Sequence, residues 1–321
     1  MPELPEVETI KRQLTKVLPG KIFSGVEIRL AKQVKGIAVA KFKKEITGAK
    51  VIGLERRAKM LIICIQKSPR FAPPLLKTPD GHRQTPGGKQ NHKKQAEKFL
   101  VFHLKMTGQL IYSDGRGHLK GGGHPIKNAL RFLPNKYSHV IFNFKDKTHL
   151  YFNDLRQFGW VTLVDSHKAI ELLSATPLGV EPLSKNFKLD GFINCLKKRP
   201  RAKIYQALMD QRCVVGVGNI YANESLFYAG IRPTRQNKDI KKAEFEKLYQ
   251  GIIKILKKSV NAKGTTISDF MDALGNYGQF SKQLKVYGRE GKQCQRSACR
   301  GLVERIKING RSAFYCVKCQ K

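Results

Sequence analysis

Acidic residues are scarce. The 321-residue chain carries 24 Asp and Glu against 61 Lys and Arg, a formal net charge of +37. So few carboxylates exclude an ordinary mixed-charge surface and point to a polyanionic partner, either nucleic acid or an acidic membrane. Long apolar runs are also missing. Nothing approaches the ~18 consecutive apolar residues of a spanning helix, and the opening MPELPEVETI lacks the basic-then-apolar order of a secretion signal. A soluble intracellular protein is therefore expected. Apolar residues as a class are not lacking. At 41% they exclude disorder throughout, and the length sits where single cores give way to two domains.

Cysteine is sparse until the end of the chain. Cys64, Cys195 and Cys213 stand alone in apolar surroundings, and in a reducing compartment they read as small buried hydrophobes. Cys294, Cys299, Cys316 and Cys319 crowd into the last 28 residues. The two close pairs flank Val303, Ile306 and Ile308 followed by Asn309-Gly310, a strong hairpin turn signal. A hairpin brings the pairs together, and four thiolates make a closed tetrahedral site for one structural Zn²⁺, with no position left for water. Such a ribbon argues for a rigid hairpin, not for a reaction.

Elsewhere the periodicity divides the chain. Val7, Ile10, Leu14 and Val17 predict a leading helix over 5–18, ended by Pro19-Gly20. Lys50–Leu54, Lys59–Gln66, Phe99–Leu104, His139–Phe144, Thr148–Asn153 and Gly159–Val164 are short, β-branched or aromatic, and bounded by turn residues, as in a sandwich or barrel. Residues 67–99 and 113–137, the latter containing Gly121-Gly122-Gly123, are basic and poor in apolar residues, and read as mobile solvated insertions. Beyond Val180-Glu181-Pro182 the pattern turns helical, with Phe245, Leu248, Ile252 and Ile255 on one face and Ile204, Ala207 and Leu208 opening another. The expectation is an α+β chain. Residues 1–180 form an N-terminal β-sandwich with a leading helix, 181–283 a helical domain, and 284–321 a β-hairpin zinc finger.

The extreme N-terminus carries the chemistry. A small second residue marks Met1 for removal, which would leave Pro2 with a free secondary amine. An α-amino group titrates near 7.7–8.0, so an appreciable neutral, nucleophilic fraction exists at physiological pH. Glu3 beside it is a candidate proton donor. On these residues alone a plain helix start, favoured by Pro, Glu3, Glu6 and Glu8, is the better reading.

Wider motifs reverse that balance. MPELPEVETI, Arg56-Arg57-Ala58-Lys59, His103-Leu104-Lys105-Met106-Thr107-Gly108, Asn153-Asp154-Leu155-Arg156-Gln157-Phe158-Gly159, Asp210-Gln211-Arg212 with Gly216-Val217-Gly218-Asn219-Ile220-Tyr221-Ala222-Asn223-Glu224, and Val286-Tyr287-Gly288-Arg289-Glu290-Gly291 stand in this order. With the terminal finger they cover nearly the whole chain, and together they resemble the formamidopyrimidine-DNA glycosylases. Leu4 separates the chain from the endonuclease VIII branch, which typically has Gly there.

The resemblance implies excision of oxidised purines from duplex DNA, then β,δ-elimination at the abasic site, in base excision repair. It implies Pro2 as the nucleophile at C1′, Glu3 as the acid that opens the sugar, Glu6 as a second acidic residue near the site, and Lys59 as the loop lysine approaching the reaction centre. Met106, Arg156 and Phe158 match the trio that fills the void left by the everted nucleotide. Asn219, Lys203, Tyr287 and Arg311 match phosphate-contacting positions, with Arg311 counted at the reaction centre. His103 opens a motif on the DNA side. Arg201–Gly230 matches a helix–two-turn–helix element, and Gly264 to Phe280 the loop covering the everted purine. Duplex DNA rather than a membrane is the implied partner, for a monomer in the cytoplasm associated with the nucleoid.

Three departures stand out. The first cysteine pair is spaced x4 where x2 is usual, Gln157 replaces a second Arg and no Pro precedes Arg156, and the two basic loops are long. None removes a residue assigned to chemistry. The rival readings are an endonuclease VIII-like enzyme for oxidised pyrimidines and a catalytically silent zinc-containing DNA-binding protein.

Overall fold

Helix α1 (Leu4–Leu14) opens the fold and belongs to two cores at once. Pro5 in its first turn needs no hydrogen-bond partner for its nitrogen, and Glu6 Oε2 accepts the Glu3 backbone N–H at 2.8 Å, closing the helix start. Leu4 packs into the C-terminal helical core, whereas Val7, Ile10 and Leu14 pack into the N-terminal one. The computed structural model describes residues 1–67, 97–123, 132–266, 270–272 and 276–321. Most of the expected basic loop at 67–99 lies outside the described residues.

The N-terminal half is a sandwich, as expected. One sheet runs β2 (Ala49–Arg57), β3 (Met60–Lys67), β4 (Lys98–His103) and β9 (Trp160–Val164), all antiparallel. The other runs β1 (Phe23–Ile28), β7 (Ser138–Phe144), β8 (His149–Asp154), β5 (Gly108–Ser113), β6 (Leu119–Gly123) and β10 (Met271–Asp272). A short helix α2 (Val39–Ile46) packs beside β1, with Phe42 and Ile46 buried. Between the sheets, Phe102 meets Phe142 and Phe152 edge-on at 5.7 Å each. Helix α3 (His167–Glu171) brings Ile170 against Met60, Ile62, Val101 and Trp160 on the outer face of the four-stranded sheet. Both faces of β3 are therefore covered, which is why its run MLIICI shows no alternation.

Residues 113–137 are not wholly the solvated insertion that their composition predicts. Leu119–Gly123 form β6, paired with β5 and β10. The three glycines are what lets it fit. A Cβ on Gly121 would lie 2.0 Å from the Leu110 carbonyl oxygen, and one on Gly122 would lie 2.7 Å from that of Met271. Composition alone reads such a run as loop; close backbone approach is the other reason for glycine. Residues 124–131 lie outside the described residues.

The second half is helical through α4 (Leu189–Lys197), α5 (Ile204–Met209), α6 (Asn219–Ala229) and α7 (Lys242–Asn261). Its core gathers Leu4, Tyr205, Leu208, Val217, Tyr221, Phe245, Leu248 and Ile252. The reading of Cys195 and Cys213 as separate buried thiols is corrected here. Helix α4 sets Cys195 against the segment entering α6, the Cα atoms lie 5.6 Å apart, and the two form a disulfide. Cys64 is a buried free thiol, as expected. The chain ends in the hairpin β11 (Val303–Ile308) and β12 (Arg311–Cys316), turning at Asn309 and Gly310.

Candidate active site

Glu3 sits where α1 meets the N-terminus of α6. Its Oε2 accepts the Gly218 N–H at 2.7 Å and its Oε1 the Ile220 N–H at 3.0 Å, while Leu4 donates its N–H to the Gly216 carbonyl at 3.0 Å. A Cβ on Gly218 would lie 2.5 Å from the Glu3 carboxyl carbon, so the approach requires glycine. The N-terminus of α6 thus presents two N–H groups to Glu3. Burial pushes the Glu3 carboxyl up to about 6. Lys59 opposes that shift, and Glu6 reinforces it. Pro2 beside it is buried.

Glu6 is buried and triply held. Besides the Glu3 N–H, it accepts from the Thr265 N–H at 2.8 Å and the Tyr221 hydroxyl at 2.5 Å, both on Oε1. Burial still pushes its carboxyl up. Lys59, only 8% exposed, stands on the turn between β2 and β3. Burial pushes its ammonium down, Glu3 and Glu6 pull it back up, and Arg311 and Lys105 push it down further. The turn is pinned from beneath, because the Ala58 N–H donates to Glu181 at 2.5 Å and Arg56 donates to Glu181 at 2.7 Å and to Glu8 at 3.1 Å. Glu8 and Glu181 hold the turn that carries Lys59; the sequence marked Glu8 only as a helix-start residue, and no motif spacing reveals Glu181.

Met106 (40% exposed), Arg156 and Phe158 (53% exposed) protrude from two neighbouring loops. The Arg156 guanidinium lies 4.8 Å over the Phe158 ring. The fully buried Asp154 joins the loops, accepting from the Thr107 hydroxyl on one side and from the Gly159 N–H at 2.6 Å on the other, while Thr107 in turn accepts the Arg156 N–H at 2.9 Å. Three non-glycine residues at positive φ mark the site loops: Ala58 beside Lys59, Lys105 beside Met106, and Gln157 between Arg156 and Phe158. Such conformations cost energy and concentrate at functional sites.

His103 is neutral. Burial, then Lys105 and Lys59, push its imidazole down to about 3, and its Nδ1 accepts the Lys105 N–H at 3.0 Å. It is available as a neutral donor through Nε2, not as a cation. Lys59, His103 and Lys105 share a cavity of about 510 Å³ with Lys35 and Trp160. At the start of α6, Asn219 accepts from the Tyr205 hydroxyl. Tyr287 packs on Phe314 at 5.1 Å, and the buried Glu224 carboxylate accepts the N–H groups of Lys285, Val286 and Tyr287 at 2.9 to 3.1 Å, which fixes that segment. Arg311 reaches over Met209, exposed at the hairpin tip, and Lys203 is exposed at the start of α5, apart from the buried cluster.

The four finger sulfurs lie within 4.8 Å of one another, with Cys294 to Cys319 at 3.8 Å and Cys299 to Cys316 at 3.7 Å. A tetrahedral Zn²⁺ with ~2.3 Å bonds needs sulfurs about 3.8 Å apart, so the donor set fits zinc despite the x4 spacing.

Two family models match the chain: the formamidopyrimidine-DNA glycosylase N-terminal domain over residues 1–161 and the formamidopyrimidine-DNA glycosylase H2TH domain over residues 178–271. Among similar proteins, the formamidopyrimidine-DNA glycosylase of Pelotomaculum thermopropionicum is 35% identical, covering 100% of this chain and 99% of its own. That of Prochlorococcus marinus is 36% identical over the whole of both chains. Among solved structures, a mutant Lactococcus lactis Fpg complexed with Fapy-dG-containing DNA superposes with a TM-score of 0.78 at 27% identity over both full chains. The Lactococcus lactis Fpg bound to DNA containing an abasic site gives 0.77 at 27% identity over 99% of each. Matching family models across both halves, and full-length relatives above 30% identity, place this chain in the formamidopyrimidine-DNA glycosylase family of base-excision-repair DNA glycosylases.

Proposed function

We propose that the protein excises oxidised purines, 8-oxoguanine and formamidopyrimidines, from duplex DNA and then cleaves the strand at the abasic site. The observation that carries this reading is the convergence of Pro2, Glu3 and Lys59 in one buried corner, with Glu3 held on the α6 N-terminus and its carboxyl raised to about 6. Once Met1 is removed, the neutral Pro2 amine attacks C1′, the glycosidic C1′–N bond breaks so that the base leaves with the proton lost from the amine, and Glu3 protonates the sugar ring oxygen as its bond to C1′ opens. The resulting iminium acidifies the C2′ proton, and β- then δ-elimination release the two flanking phosphates and leave a one-nucleotide gap. One covalent intermediate serves both activities.

The remaining residues hold the DNA. Met106 and Phe158 fill the void and Arg156 faces the orphaned base, while Lys203, Asn219, Tyr287, His103 and Arg311 hold phosphates, with Lys59 and Arg311 nearest the reaction. One Zn²⁺ on Cys294, Cys299, Cys316 and Cys319 stiffens the hairpin carrying Arg311 and takes no part in the reaction. The enzyme acts as a monomer on cytoplasmic, nucleoid DNA. No described helix is long and apolar enough to cross a membrane.

Product analysis tests the lyase half. On an abasic duplex the wild-type protein is expected to leave phosphate on both sides of a one-nucleotide gap. An intact strand, or a 3′ unsaturated aldehyde as the final product, would overturn β,δ-elimination.

A further inference from the structure

We propose that Tyr221 is a positioning residue for this reaction: its hydroxyl fixes the Glu6 carboxylate behind the Pro2–Glu3 corner and ties it to the start of the Gly264–Phe280 segment. The proposal rests on the assignment of Pro2 and Glu3 as the reacting groups. Tyr221 lies on α6, fully buried, two residues past Asn219, and makes no surface on which DNA can lie.

Hydrogen-bond directions follow from counting protons. The hydroxyl has one proton and two lone pairs. Its oxygen lies 2.5 Å from Glu6 Oε1, 2.6 Å from Ser259 Oγ on α7, and 2.9 Å from Thr265 Oγ1. An ionised carboxylate only accepts, so Tyr221 donates to Glu6, and the Ser259 and Thr265 hydroxyls donate to Tyr221. Thr265 contributes twice, since its N–H also donates to Glu6 at 2.8 Å. Glu6 completes the chain by accepting the Glu3 N–H, so its position determines where the backbone of Glu3 sits. The Tyr221 ring belongs to the helical core, a task that phenylalanine performs equally well. The hydroxyl alone serves Glu6.

Charge follows the same chain. The Tyr221 hydroxyl is the largest influence opposing burial at Glu6 and limits how far its carboxyl is pushed up. The negative charge retained there helps to raise Glu3. Lys59 on the β2–β3 turn and Tyr221 itself also act on this pair, and the Tyr205 and Tyr287 hydroxyls couple to Glu3; among the hydrogen-bond partners, α7 supplies the Ser259 hydroxyl, and Thr265 lies just beyond it. Without the Tyr221 hydroxyl, Glu6 takes up a proton more readily, its push on Glu3 weakens, and the Glu3 carboxyl falls.

The test compares wild type, Tyr221→Phe and Ser259→Ala in single-turnover excision on an 8-oxoguanine duplex across pH, with borohydride trapping and duplex affinity measured alongside. Tyr221→Phe is expected to bind duplex as wild type does, to excise about tenfold more slowly for each pH unit that Glu3 falls, and to move the acid-side limb of the profile to lower pH. Ser259→Ala, which only weakens the chain, moves the same limb in the same direction by less. Profiles that superimpose on wild type would overturn the proposal. If Tyr221→Phe fails to fold, an unmoved limb in Ser259→Ala does so alone. Absence of a trapped imine in the wild type would instead remove the assignment of Pro2, a failure separable from that of Tyr221.

Discussion

In the proposed reaction Glu3 must hold its proton while Pro2 has lost its own. Burial raises the acid to about 6, below the 7.7–8.0 at which an ordinary α-amino group becomes neutral. The working pair, Glu3 protonated and Pro2 neutral, is then a minor form of constant abundance between the two values. Excision at limiting enzyme should rise to about pH 6, run flat, and fall above about pH 8. A profile with its acid limb near 4.5, the ordinary carboxylate range, would show that the burial of Glu3 does not persist in solution. Pro2, Glu3, Lys59, Met106, Arg156 and Phe158 were legible as candidates because each lies within an uninterrupted motif. Their supports were not. Glu181 meets Ala58 and Arg56 across more than 120 positions, and Asp154 joins Thr107 to Gly159 only after β5 and β8 have paired. Asp154→Ala strands those donors. It should cost about 1–3 kcal/mol in urea unfolding and weaken binding to abasic duplex; unchanged binding would dissociate Asp154 from the wedge loops.

Elements with a helical apolar pattern or a short β-branched and aromatic run were placed well, including α1, β2, β3, β4, β7, β8 and β9. Those that depend on backbone proximity were not. The strand β6 hides in a glycine run that composition assigns to loop, and β10 leaves the helical half of the sequence to pair with it. The disulfide between Cys195 and Cys213 escapes the sequence for a similar reason, since 18 residues of separation imply nothing until α4 packs against the entry to α6. Closing a loop of that length is worth about 3 kcal/mol in the chain-entropy account. Cys195→Ser should lower the melting temperature, and the same fall should appear when wild type is treated with a reductant. Identical melting of oxidised and reduced protein would remove that contribution. The finger makes an independent prediction. Chelation, or Cys299→Ser, should release one Zn²⁺ per chain and weaken duplex binding at least as much as Arg311→Ala does, because Arg311 rides on that hairpin. Full duplex affinity after metal loss would show that the hairpin holds its shape unaided.

At the scale of the molecule, the +37 charge specified only a polyanion. The fold divides that charge. Arg56 and Arg57 pair with Glu8, Glu171 and Glu181, whereas Lys203, Arg156 and Arg311 stay exposed. Lys203→Ala and Arg311→Ala should each weaken duplex binding at all sequences and reduce the slope of log affinity against log salt by about one. An unchanged slope would remove that residue from the phosphate contacts. Helix α1 belongs to both halves, with Leu4 in one core and Val7, Ile10 and Leu14 in the other.

The central claim is that the Pro2 amine forms a covalent bond with the damaged sugar. Borohydride added during incubation of the mature protein with duplexes carrying 8-oxoguanine opposite cytosine, or thymine glycol opposite adenine, measures it directly. The account predicts a trapped complex mainly on the first duplex, lost in Pro2→Gly while duplex binding persists. Trapping mainly on the second would reassign the substrate to oxidised pyrimidines. No trapping on either, with Met1 removal confirmed and binding intact, would contradict the claim.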